Sequence, residues 1–248
     1  QDPNLDPQKQ VTDLQTAIET GKADAVWAIM VAPEAAASLI PVAQDKGVPM
    51  VGNGTPEAYG LDGMQPGITF STIDYEAEGE AAGTELGNCI NERFDGKGVV
   101  LFGGSSPGTA GKEEYESAVK KYLAQTAPDA EIVADITVTD RQAAQTDVGN
   151  ALQGNPDINA VFAQNDEGAL GTVGAFKAAG KDNPCITATG GNDEVLAAVE
   201  SGDIYAVVAL QFQDDMAQNV ATLTKMLEDP TAEGEQLVTP QKVVKAGS

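Results

Sequence analysis

The sequence contains no histidine. That absence removes Ser-His-Asp and Cys-His nucleophile arrangements, histidine-ligated zinc and the side chain that usually shuttles protons near neutral pH. Any catalysis would have to rest on carboxylates, lysine or tyrosine, and no nucleophile-base constellation of those types is visible, so no enzyme, cofactor or metal is expected. Basic residues are scarce as well. Against 38 aspartates and glutamates stand 14 lysines and arginines, a net charge of −24. A surface of that sign repels nucleic acid phosphates and anionic lipid, which argues against both as partners. The acid excess serves solubility and also fits adaptation to high salt, and composition leaves the two open. Aromatic residues make up only 5% of a chain that is 42% apolar, the balance of an Ala/Val-rich α/β protein rather than a disordered one. No apolar run approaches the roughly eighteen residues of a membrane span. No basic and apolar signal region opens the chain, which therefore reads as a mature form or a fragment.

With 248 residues the chain can build two modest domains, each with its own core. What is present is a repeated strand, polar corner and helix. The clearest copy is NPDINAVFAQNDEGAL, residues 155 to 170. Asn155-Pro156-Asp157 is a turn signal, Ala160 to Ala163 is an apolar run of strand length, and Asp166 stands at a helix N-cap position. Leu170, Val173 and Phe176 then share one helical face, and Gly180 ends the pattern. Polar residues thus gather at the carboxyl end of a strand, where open α/β sheets place their ligands.

Taken in order, Asp6-Pro7 with Val11, Leu14 and Ile18 reads as a capped helix. The alternation of Asp2, Asn4, Asp6 and Gln8 suggests a calcium loop, but Pro7 occupies the glycine position and no closing glutamate follows, so the helix is preferred. Asp24 to Val31 is a nearly continuous apolar run, as for a strand covered on both faces, and Trp27 within it is expected in the core. A helix from Glu34 to Lys46, stopped by Gly47, and a strand from Val48 to Val51 follow, with Asn53 at that strand's end. Residues 54 to 67 form a loop rich in glycine and proline. Asp74 caps a long helix from Tyr75 to Phe94, and from Val99 strands and helices alternate regularly to Leu210. Such short connections imply parallel strands with right-handed crossovers. A last helix, Asp214 to Leu227, and an extended piece, Leu237 to Val244, end the chain. A domain boundary is expected near residues 72 to 75.

Two features invite a chemical reading. Gly103 to Gly108 ends a strand before a helix and could cradle phosphate, yet Ser106 stands where a P-loop's first glycine belongs and Glu113 replaces its Ser/Thr. A hydroxyl-binding or structural turn is the better reading. The carboxylate pairs Asp166-Glu167 and Asp193-Glu194 could act as acid and base, but they sit at helix starts, where capping is preferred. For Asn165 and Asn192 the same choice falls to ligand contact.

Four segments in order, GKADAVWAIMVAPEAAASLIPVAQDKGVPMV, DYEAEGEAAGTELG, NPDINAVFAQNDEGALGTVGAFKAAG and LAAVESGDIYAVVALQ, resemble the type I periplasmic sugar-binding proteins of bacterial ABC importers, the ribose-binding class. The resemblance implies two doubly wound parallel-sheet lobes joined by a hinge, closing around a ligand. Lobe one would span 1–72 plus 212–236, lobe two 73–211, with 237–248 a terminal extended segment near the hinge. Family members open with a further strand, loop, helix and strand of roughly 30 residues. Lacking that unit, lobe one is expected to miss central strands.

The resemblance also implies ligand-binding residues. Asn165 matches the family's asparagine after the lobe-two strand, and Gln211 or its neighbour matches its glutamine near the last crossing strand. Elsewhere the family's pattern changes. Its aspartate-arginine pair appears as Gly54-Thr55 beside Asn53, its helix arginine falls at Tyr115, the aromatic before Asp140-Arg141 is Thr139, and an aromatic-aspartate corner becomes Gly190-Gly191-Asn192. With Ser106 these residues form the expected site. Amides and hydroxyls in place of charges favour a neutral ligand, a small sugar or polyol. The implied partners are an ABC permease and a chemoreceptor. The implied location is the periplasm or, for a lipoprotein, the cell surface, and the implied state is a monomer. A sugar-responsive transcription regulator shares the fold and is the alternative, disfavoured by the acid excess. In an extracytoplasmic protein Cys89 and Cys185 can form a disulfide within lobe two, with two buried thiols as the alternative.

Overall fold

The computed structural model describes residues 6–247. Two compact units are present: one runs to Ile73 and resumes over Gln211–Pro240, and the other comprises Asp74–Leu210 and the residues from Gln241 onward. In chain order the elements begin α1 (Pro7–Glu19), β1 (Val26–Ala28), α2 (Pro33–Ala36), α3 (Leu39–Lys46), β2 (Met50–Asn53) and β3 (Ile68–Thr72). Then come α4 (Tyr75–Phe94), β4 (Val99–Gly104), α5 (Lys112–Thr126), β5 (Glu131–Thr137), α6 (Arg141–Gly154), β6 (Ala160–Ala163) and α7 (Asp166–Ala178). The remainder is β7 (Cys185–Gly190), α8 (Asp193–Glu200), β8 (Ala206–Leu210), α9 (Phe212–Glu228), β9 (Gln236–Val238) and β10 (Gln241–Lys245).

The first unit is built on a parallel four-stranded sheet, ordered β1-β2-β3-β9. Alternate residues along each strand face opposite sides. Val26, Met50, Ile68 and Phe70 join Ile18 of α1 and Leu39 and Ala43 of α3 in one core. On the other side α9 lies against β3, where Met226 Sδ accepts a hydrogen bond from Thr69 and Asp215 accepts one from Ser71. Trp27 and Ile29 are 41% and 71% exposed, so the expectation of Trp27 in the core is corrected. The apolar run implies burial on both faces, whereas among the described residues β1 is the outermost strand of its sheet, paired only with β2.

The residues after β1 are not strand either. Gln10 of α1 holds them, donating to Ile29 O (2.9 Å) and accepting from Val31 N (2.8 Å). The expected helix from Glu34 to Lys46 is two helices, because Pro41 has no N–H to give the carbonyl of Ala37 and an unbroken helix cannot pass. Asp6 caps α1 through the N–H groups of Gln8 and Lys9. Asp2 and Asn4 of the calcium-loop alternative lie outside the described residues.

The second unit carries a six-stranded sheet, ordered β10-β8-β7-β6-β4-β5, parallel except for β10. Both faces of its central strands are covered. Val100, Phe102 and Phe162 pack under α4 and α5, while Leu101, Val161 and Ile186 pack under α6 and α7. Cys89 of α4 and Cys185 of β7 form a disulfide within this unit. The final extended piece, expected as one segment, is two strands. β9 pairs with β3, β10 pairs antiparallel with β8, and Pro240 separates them.

Candidate functional site

In the second unit β4 lies between β5 and β6, so successive crossovers leave it in opposite directions. Such a switch point, at the carboxyl ends of the strands, is where open parallel sheets hold ligands. The corners that follow β4, β5, β6 and β7 bring Ser106, Thr139, Arg141, Asn165 and Asn192 to one rim of the sheet. Tyr115 does not join them. Its ring is buried against Phe162, its hydroxyl is bonded to Thr189 Oγ1, and burial pushes its pKa well above the usual tyrosine value. The expected ligand contact is thus a core residue, turned inward by a helix that packs tightly against α4.

At the β4 corner Ser106 is exposed, and its carbonyl accepts from Thr109 N (3.2 Å) and Oγ1 (2.8 Å), a turn rather than a cradle. The neighbouring Ser105 N–H, which a phosphate would need, donates instead to Glu116 Oε1 (2.7 Å). Lys112 pairs with that carboxylate and also donates to Ser105 O (2.9 Å).

At the β5 corner Thr139 is exposed beside Asp140, which caps α6 through Ala143 N (2.9 Å). Arg141 is engaged on both sides. Its guanidinium donates to both oxygens of Glu167 (2.9 and 3.1 Å) and both oxygens of Glu194 (2.8 and 2.7 Å). The Glu194 bonds, then the Glu167 bonds, push Arg141 further up, and Arg141 in turn holds Glu194 below the usual carboxylate range.

Asn165 and Asn192 cap α7 and α8, their Oδ1 atoms accepting from Gly168 N and Val195 N, each at 2.8 Å. Capping and ligand contact, alternatives in the sequence, are compatible in the structure. An amide that spends its oxygen on a helix still has its Nδ2 donors, and that of Asn165 reaches Gln164 Oε1 only at 3.5 Å. The acids expected to cap do not. Asp166, Glu167, Asp193 and Glu194 lie in the first turns, where they suit the helix dipoles, but the caps are the asparagines before them. Asp166 reaches across to the next corner, accepting from Gly191 N (2.7 Å) and Asn192 N (3.2 Å).

Asn53 and Gln211 belong to the first unit. Asn53 Oδ1 accepts from Met30 N (2.6 Å), tying the end of β2 to the end of β1. Gln211 precedes α9 without capping it, and its N–H donates to Pro240 O (2.7 Å). Asp166 and Glu116 are the residues that sequence reasoning placed elsewhere or passed over. The one written hint was Gly190-Gly191, whose missing side chains leave room for a carboxylate, and it becomes readable only once β6 and β7 are known to be neighbours.

Doubly wound parallel sheets with polar strand-end corners define the class as an α/β protein of two sheet units. The chain belongs to the periplasmic binding protein domain family, whose model matches residues 1–231. Among its relatives is the ribose import binding protein RbsB of Bacillus subtilis, 30% identical over 219 residues, covering 85% of this chain and 65% of that protein. The xylitol-binding protein of Mycolicibacterium smegmatis is 29% identical over 243 residues, covering 95% of this chain and 64% of the relative. The chain thus spans just under two thirds of these two relatives' lengths. A solved ABC transporter periplasmic solute binding protein from Actinobacillus succinogenes, with bound D-allose, superposes with a TM-score of 0.81 at 22% identity, covering 97% of this chain and 83% of that one. At that identity the likeness is one of fold.

Proposed function

We propose that this chain is the ligand-binding part of an extracytoplasmic solute-binding protein that captures a small neutral sugar or polyol for an ABC importer, with no catalysis of its own. The supporting observation is the chemistry of the second unit's rim. Arg141 there is saturated by Glu167 and Glu194 and offers an anion no counter-charge, while the asparagine Nδ2 donors and hydroxyls beside it suit a hydroxylated ligand. Relatives named for ribose and xylitol point the same way. The Cys89–Cys185 disulfide suits an oxidising compartment, and the proposal places the protein in the periplasm or at the cell surface as a lipoprotein. It acts as a monomer, with an ABC permease as its client and a chemoreceptor as a second one. Capture by hinge closure of the two units is part of the same reading.

The test is a thermal-shift screen of the full-length protein against ribose, xylitol, D-allose and D-arabinose. A ligand at a hundredfold its Kd adds about 2.7 kcal/mol, which for a chain of this size raises Tm by about 5–10 °C. At least one of the four is expected to do so and to shrink the radius of gyration in solution scattering. A Tm unmoved by all four sinks the proposal. A rise without shrinkage removes only the closure.

A further inference from the structure

Two strand-end corners of the second unit already hold a carboxylate on their backbone donors. At the β4 corner Ser105 N donates to Glu116, which Lys112 neutralises. At the β7 corner two successive N–H groups, those of Gly191 and Asn192, converge on the two oxygens of Asp166. The corner is shaped for that carboxylate. Gly190 and Gly191 have φ of 130° and 117°, which only glycine adopts readily, and a Cβ on Gly190 would lie 2.3 Å from Asp166 Oδ1. Adjacent backbone donors at a strand-to-helix turn are what a phosphate or carboxylate ligand binds. Here they are already occupied.

We infer that Asp166 is a resident anion: it fills the place where a negatively charged ligand group would bind, fixes the corner that carries Asn192, and so closes that corner to anionic ligands. The selectivity part rests on the proposed sugar or polyol function; the occupancy and positioning do not. The remaining fixed charge agrees, because Arg141 is committed to Glu167 and Glu194 and offers an incoming anion no counter-charge. Asp166 is a positioning residue. It holds Asn192 through the backbone, and Asn192 in turn caps α8 and presents its Nδ2.

The experiment replaces the anion from outside. In the full-length protein, Asp166→Ala should make the Gly191 and Asn192 amides exchange with solvent at least tenfold faster and should move their resonances. Added formate, the side chain's own functional group, should restore both resonances in a saturable titration while leaving the wild type unchanged. Inorganic phosphate should raise the Tm of Asp166→Ala and not that of the wild type. Asp166→Asn fills the space with one acceptor instead of two, so one of the two amides should move, formate should do nothing, and the variant serves if the alanine form does not fold. Amides that ignore both substitutions overturn the inference, as does formate that fails to bind Asp166→Ala or acts equally on the wild type. None of these readings requires a sugar, so they stand apart from the outcome of the ligand screen.

Discussion

Glu78 shows how much one side chain can set the behaviour of its unit. It sits in the first turn of α4, 4% exposed, with Oε1 lacking a hydrogen-bond partner among the described residues. Tyr75 on its own helix and Tyr115 on α5 are the titratable groups that feel its charge. Burial alone pushes its pKa from an ordinary 4.5 up to about 7. The folded state therefore holds this proton more tightly than the unfolded chain does. Below about pH 4.5 both states are protonated and nothing is lost; between about 4.5 and 7 the unfolded chain sheds its proton first, so stability falls as pH rises. Above about 7 the full cost of a buried, unpaired carboxylate is present, on the order of 3 kcal/mol. Glu78→Gln removes the charge and nearly keeps the shape. Its urea midpoint should match the wild type at about pH 4 and exceed it at about pH 8, and equal midpoints at about pH 8 would show that the carboxylate is not desolvated.

At the scale of elements, the tightest contact in the second unit is α4 against α5, and glycine makes it possible. Gly79 and Gly83, one turn apart on α4, lie so close that an added Cβ would be 2.4 Å from Tyr115 O and 2.3 Å from Val119 O. Both neighbours are backbone, which cannot rotate away. Gly83→Ala should thus lower stability by about 1–3 kcal/mol in chemical denaturation. Gly149, in α6 with nothing within 4 Å of its Cβ position, is the control: Gly149→Ala should raise stability by about 0.5–1 kcal/mol. A pair of variants moving in the same direction would refute the close-approach account. The spacing of these glycines was written in the sequence, but which helix they meet was not.

The same limit explains what else was legible. Period and punctuation are local, so the helix over Tyr75–Phe94 with its Asp74 cap, the strand Ala160–Ala163 and the Gly47 stop could all be read directly. Coverage is not local. Trp27 is as apolar as a buried strand residue, and only the fold shows that it is 41% exposed among the described residues. The site divides in the same way. The asparagines and hydroxyls at strand ends were readable from position, whereas the use of Asp166 depends on a contact 25 residues away across two neighbouring strands. Tyr115 failed for a related reason: its place in the chain could be aligned to a contact residue, but the direction of its ring is set by α4.

For the whole molecule the governing quantity is a charge of −24 on 248 residues. Ion pairs do little to offset it, because most of those formed, such as Lys120–Asp135 and Lys121–Glu76, are solvent-exposed, where water and salt screen them. The folded state gathers the surplus acids closer together than the unfolded chain does, so self-repulsion works against folding and added salt should relieve it. Screening has its own range: the Debye length is about 10 Å at 0.1 M and about 3 Å at 1 M, so most of the relief is complete by about 0.5 M. Adaptation to high salt would go further. Measured in potassium chloride from 0.05 to 3 M, Tm should first rise by several degrees; a plateau near 0.5 M assigns the acid excess to simple repulsion and solubility, while a continued climb to 3 M assigns it to a high-salt habit. A midpoint flat from the start would mean that the acids are spaced too widely to repel, and the composition would then carry no stability consequence at all.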